Sequence, residues 1–178
     1  MRKLPTQELL AILSVYDFYS WDEREAPRQF WFVQDLGQPD FYKGWGLDAV
    51  ENPQAERPLT VEEWLEYEER FFSWLKSREQ LLLPAIVTPE LTNWWEPNLL
   101  RDWMLPDAER CRDLLAETGV IHLSPSLDPD LRGALVETWE ELVILGKMAV
   151  RGLPLLFFSG GKRVYRLTEY LTVLLEEK

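Results

Sequence analysis

Residues 155–167 read LLFFSGGKRVYRL, and the way this stretch is taken decides the fold class. Gly160 and Gly161 separate two runs, PLLFF and RVYRL, that are rich in aromatic and bulky apolar residues. Glycine adopts positive φ without steric cost, so the pair suits the centre of a two-residue hairpin turn. In that register Phe157 faces Val164 and Leu156 faces Tyr165, cross-strand pairs of the kind that hold a hairpin together. A phosphate-cradling loop does not fit the same residues. Arg163 follows Lys162 where Ser or Thr is needed to hold magnesium, and Gly152 lies eight residues before Gly160 with Pro154 between.

On the N-terminal side of the hairpin, SLDPDLRGALVETWEELVILGKMAVRG opens with Asp128 as a cap and Pro129 at the first helical position. It reads as a long helix whose second half is apolar nearly all round, hence central and buried. On the other side, TEYLTVLLEEK sets Leu167, Leu171, Leu174 and Leu175 at helical spacing, with Glu176 and Glu177 opposing the helix dipole. A long helix followed by a basic hairpin also matches the end of a winged-helix domain. Against that reading, Glu137, Glu140 and Glu141 occupy the polar positions that would face DNA.

The N-terminal half adds more helix than strand. Leu9, Ile12, Leu13 and Tyr16 after a Thr6 cap predict a helix over 7–19, and RQFWFVQD at 28–35 predicts a strand. Residues 36–58 read as a long loop anchored by Phe41, Tyr42 and Trp45. Thr60 followed by Glu63 is a capping-box pattern at the head of an amphipathic helix running to about Arg78. LLLPAIVTP is a strand or a buried extended linker. Two short helices follow, opened by Pro97 and Asp107, the second stopped by Gly119, and VIHLS reads as a short strand. The whole is one α+β domain over 1–178, helix-dominated, with a small antiparallel sheet or hairpins and a winged-helix-like C-terminal part as the alternative.

Composition narrows the function classes. The chain has 178 residues, 46% hydrophobic, with nine Trp, enough to fold around a core of its own. A single cysteine, Cys111, precludes an internal disulfide and makes the cytoplasm the default location. No run approaches the roughly 20 apolar residues of a membrane span. Net charge is −12, which opposes sequence-independent binding to nucleic acid or anionic membranes. The stretch 147–166 is the exception: Lys147, Arg151, Lys162, Arg163 and Arg166 give it +5, leaving −17 elsewhere.

Candidate chemistry is sparse. Glu68 falls in the middle of the apolar stripe Val61, Trp64, Leu65, Phe71, Phe72 and Leu75. A carboxyl group buried there suits a general acid, while the plainer reading is that it meets an arginine from another element. His122 is the sole histidine, so a histidine-rich metal site is excluded, while a Cys111–His122 dyad stays conceivable where the two come within hydrogen-bond reach. Neither a metal nor a cofactor is expected. Adjacent Trp94 and Trp95, with Tyr42 and Trp45, are the candidate contact residues, because indoles and phenols dominate binding hot spots.

The expected function is a non-catalytic, acidic, tryptophan-rich interaction protein, an adaptor, inhibitor or regulatory subunit, with a protein partner. Two alternatives stand beside it. One is nucleic-acid related: either the basic 147–166 segment touches DNA within a complex, or the acidic remainder mimics it. The other is a carboxylate-dependent hydrolase using Glu68.

Overall fold

A computed structural model describes residues 1–16, 46–89, 100–123, 132–160 and 162–177. Among them an antiparallel sheet of six strands runs in the order β1-β3-β2-β4-β5-β6. The strands are β1 (Arg2–Lys3), β2 (Ala85–Pro89), β3 (Ala134–Val136), β4 (Leu155–Ser159), β5 (Arg163–Thr168) and β6 (Thr172–Glu177). The helices are α1 (Thr6–Leu13), α2 (Val61–Lys76), α3 (Glu79–Leu82), α4 (Leu105–Glu117) and α5 (Trp139–Val150). The fold is mixed α+β, with a larger sheet than the sequence suggests.

Alternation along the strands builds two cores. Ala85, Val87, Phe157, Tyr165, Leu167, Val173 and Leu175 point to one face, where they meet α2, α4 and α5. Ile86, Leu156 and Phe158 point to the other, where they meet Leu4 and, from α1, Leu9 and Leu13. On the larger face Phe157 and Tyr165 stack at 5.0 Å with planes 8° apart, and the Tyr165 hydroxyl donates to the Leu82 carbonyl at 3.2 Å. On the smaller face Tyr16 sets its ring edge-on to Phe158, and its hydroxyl donates to the Ser159 carbonyl at 2.6 Å. Each pairing fixes a helical segment to the sheet through both an apolar and a polar contact.

The hairpin of 155–167 forms, with a register one residue from the expected one. Phe157 pairs with Tyr165, Phe158 with Val164 and Ser159 with Arg163. The connection therefore has three residues, and Lys162 takes the left-handed conformation at φ 60. A three-residue loop closing on a left-handed residue is the next commonest hairpin after the two-residue kind. A one-residue slip would exchange the two faces of one strand, so burial of Phe157 with Tyr165 enforces this register. The hairpin is no projecting wing, because β4 also pairs with β2 along its whole length. That disposes of the winged-helix alternative.

Two other expectations are corrected. The C-terminal segment is strand β6, not a helix: it pairs with β5 from Thr168↔Thr172 to Arg163↔Glu177, across a tight turn at Leu171 with φ 53. Val173 and Leu175 reach the core with period two, which the chance helical spacing of the leucines conceals. Of the long helix read from Asp128, the cap at Asp128 and Pro129 lies outside the described residues, and the rest is β3, wedged between β1 and β2, followed by α5. Gly133 precedes β3 where an added Cβ would come within 3.1 Å of the Val87 carbonyl, a close approach that suits a strand rather than a helix. Residues 17–45 and 90–99 fall outside the described residues, and with them the predicted strand at 28–35.

The helix opened by Thr60 forms as read. Thr60 accepts from the Glu63 N–H at 3.2 Å and Glu63 accepts from the Thr60 N–H at 2.9 Å, completing the capping box of α2. Thr138 and Glu141 build the same device on α5. Gly119, at φ 69, ends α4: the Gly119 N–H donates to Ala116 and the Val120 N–H to Leu115. Among the described residues, 120–123 add no strand to the six-stranded sheet, and His122 stands only in a β-bridge.

Candidate functional site

The most chemically distinctive place in the described structure lies where α2, α4 and α5 converge. Glu68, in the apolar stripe of α2, is 2% exposed, and Arg151, just past the end of α5, is 4% exposed. Their pairing is bidentate: Arg151 Nε donates to Glu68 Oε1 at 2.8 Å and Nη2 to Oε2 at 2.6 Å. Arg151 Nη1 donates to Asp107 Oδ2 at 2.9 Å. Lys147 Nζ reaches both Asp107 oxygens at 3.4 Å. The guanidinium also lies 5.0 Å from the centroid of the Trp103 ring.

Local structure explains the set. Lys147 and Arg151 are four apart along α5 and its cap, so their like charges repel unless an anion stands between them. Asp107 does so from the first turn of α4, where the positive end of the helix dipole also favours it. Burial works to raise the Asp107 pKa, but the charges and hydrogen bonds of Arg151 and Lys147 prevail and hold it below the ordinary carboxylate value. Burial likewise disfavours the Arg151 charge, and Glu68, joined by Asp107, more than offsets it and raises its pKa.

Outward from this network runs an open groove of about 640 Å³ between α2 and α5. Leu65, Phe72, Trp139 and Val143 make its apolar surface, and Glu69, Ser73, Lys76 and Lys147 stand along it, with Glu68 beneath. Leu65 is 40% exposed and Trp139 half-buried. Lys76 Nζ sits 4.8 Å over the Trp139 ring and pairs with Glu79 at 2.7 Å.

The structure distributes the sequence candidates as follows. Trp45, Tyr42, Trp94 and Trp95 lie outside the described residues. Of the five basic residues in 147–166, Lys147 and Arg151 come together, held by Asp107 and Glu68 on the helix-covered side. Lys162 and Arg166 are exposed, and Arg163 is half-buried with Nη1 donating to the Gly160 carbonyl at 3.1 Å. Arg166 alternates with Tyr165 and Leu167, so it points to the opposite face of the sheet from α5. Cys111 is fully buried in α4, and burial, followed by the Asp107 charge, pushes its thiol pKa up. His122 is half-buried with Nε2 lacking a hydrogen-bond partner.

Sequence reasoning saw Glu68 but missed Asp107, read only as a helix opener, and missed Trp139 altogether. A signal existed: Trp139, Val143, Lys147 and Arg151 recur every four residues, one line along α5. Family models, curated proteins and solved structures gave no match to this chain.

Proposed function

We propose that this chain is a non-catalytic acidic interaction protein, an adaptor, inhibitor or regulatory subunit, that binds a macromolecular partner through accessible aromatic and apolar side chains. The groove between α2 and α5 carries the reading. It sets an accessible leucine beside a half-buried indole on two helices whose capping boxes and core contacts hold them rigid. Rigid aromatic anchors cost little entropy on binding and dominate interface energetics. An open trough suits a segment of a macromolecule better than a small ligand, whose sites bury most of its surface.

The alternatives draw less support from the same geometry. Both Glu68 oxygens already accept from Arg151, leaving the carboxylate poorly placed to exchange a proton with a substrate. Arg151 and Lys147 are engaged by carboxylates, so two of the five cations of the 147–166 segment are not presented to a phosphate backbone.

Affinity capture with a tagged protein tests the proposal. Leu65→Lys should strip a partner that wild type retains, while Leu10→Lys, on the exposed side of α1, should not. Retention by the Leu65 variant would remove the groove from the interface. The aromatic segments around Trp45 and Trp94 belong to the same proposal, and Trp45→Ala and Trp94→Ala test them in the same experiment.

A further inference from the structure

We infer that the occupant of the α2/α5 groove is a basic amphipathic helix of a partner protein, a deduction that rests on the groove being the binding surface. Arg151 is matched by Glu68, Lys147 by Asp107 and Lys76 by Glu79, so each cation at the groove already has its anion. Glu69 on the groove makes no ion pair among the described residues, and neither do the exposed Glu62 and Glu66. These three lie three or four residues apart along α2, flanking Leu65 on one side of the helix. The surface that meets a ligand is therefore apolar along the trough and negative along one bank.

The trough is bounded by two helices, of 16 and 12 residues, and its apolar positions recur along both at helical spacing. Apolar anchors at i, i+3, i+4 and i+7 of an incoming helix fit such a trough, with the charged flank setting orientation. An acidic segment would meet Glu62, Glu66 and Glu69 with no unmatched cation to compensate, and like charges brought together across an interface are strongly unfavourable. A basic flank meets them with opposite sign, and the overall charge of −12 steers it inward.

The test uses two synthetic helical peptides of about 16 residues, the length of α2. Both carry leucines at i, i+3, i+4 and i+7; one has lysines and arginines on its flank, the other glutamates at the same places. Fluorescence anisotropy with the full chain should show the basic peptide binding and the acidic one not, at concentrations up to about 100 μM. Leu65→Lys should weaken the basic peptide about tenfold or more, and the pair Glu66→Lys with Glu69→Lys should reverse the preference between peptides. All three positions are exposed, so these variants keep the fold. No binding of the basic peptide, equal binding of both, or binding indifferent to the substitutions would overturn the inference. Should the basic peptide fail while Leu65→Lys still strips a natural partner, the groove stands as an interface and only its occupant is misassigned; should Leu65→Lys strip nothing, the interface itself falls.

Discussion

Replacing Arg151 with methionine should destabilise the fold more than any surface change. The substitution removes three charged donors at once, two from Glu68 and one from Asp107, and leaves the Glu68 carboxylate 2% exposed with its arginine gone. Two hydrogen bonds to a charged group at about 1.5–3 kcal/mol each bracket the loss at about 3–6 kcal/mol. Breaking one side of a buried ion pair by itself costs about 3–5 kcal/mol, in agreement. For a chain of this size that is a fall in Tm of about 6–24 °C. Removing both charges, Glu68→Met with Arg151→Met, should recover most of the loss, since an apolar pair of similar volume replaces buried ions at little or no cost. Urea denaturation of wild type, both singles and the double variant gives the coupling energy directly. A loss below about 1 kcal/mol for Arg151→Met, the value of an exposed pair, would refute the reasoning, as would a double variant no more stable than the single.

Other outcomes follow from the same network and core. Asp107 has a folded pKa below its unfolded value, so its contribution to stability is complete above about pH 5 and is lost as pH falls through about 3.9 and beneath; Asp107→Asn should flatten the acid limb of the stability profile. Cys111 and Tyr165 have raised pKa values in the fold, so stability should decline as pH rises past about 8.5 and again past about 10, a decline that Cys111→Ala and Tyr165→Phe remove in turn. Native Cys111 should resist a thiol reagent until the chain unfolds, which absorbance of the released chromophore reads; stoichiometric labelling within seconds would contradict its burial. Thr138→Ala should cost about 1 kcal/mol by removing the α5 capping box, measured in the same urea titrations.

Local chemistry made part of the fold legible. The capping box at Thr60 and Glu63, the glycine stop at Gly119 and the aromatic runs around Gly160 each act through neighbours a few residues away, so the sequence displays them without tertiary knowledge. Strand β6 was hidden because its leucines satisfy a helical period as well as a strand period, and only pairing with β5 decides between them. Strand β3 is three residues long, too short to print an alternation, and exists because β1 and β2 flank it. At the site, the misplaced charge of Glu68 in an apolar stripe was visible. Its partner came from 83 residues away, a separation at which one sequence holds no pairing signal.

Placing a photoreactive benzophenone side chain at position 65, and for comparison at position 10, tests the groove most directly. Irradiation in cells should join position 65 to a discrete partner protein, with the attachment falling within a basic amphipathic segment, and leave position 10 without that adduct. No adduct at position 65, or the same adducts at both positions, would contradict a binding surface between α2 and α5.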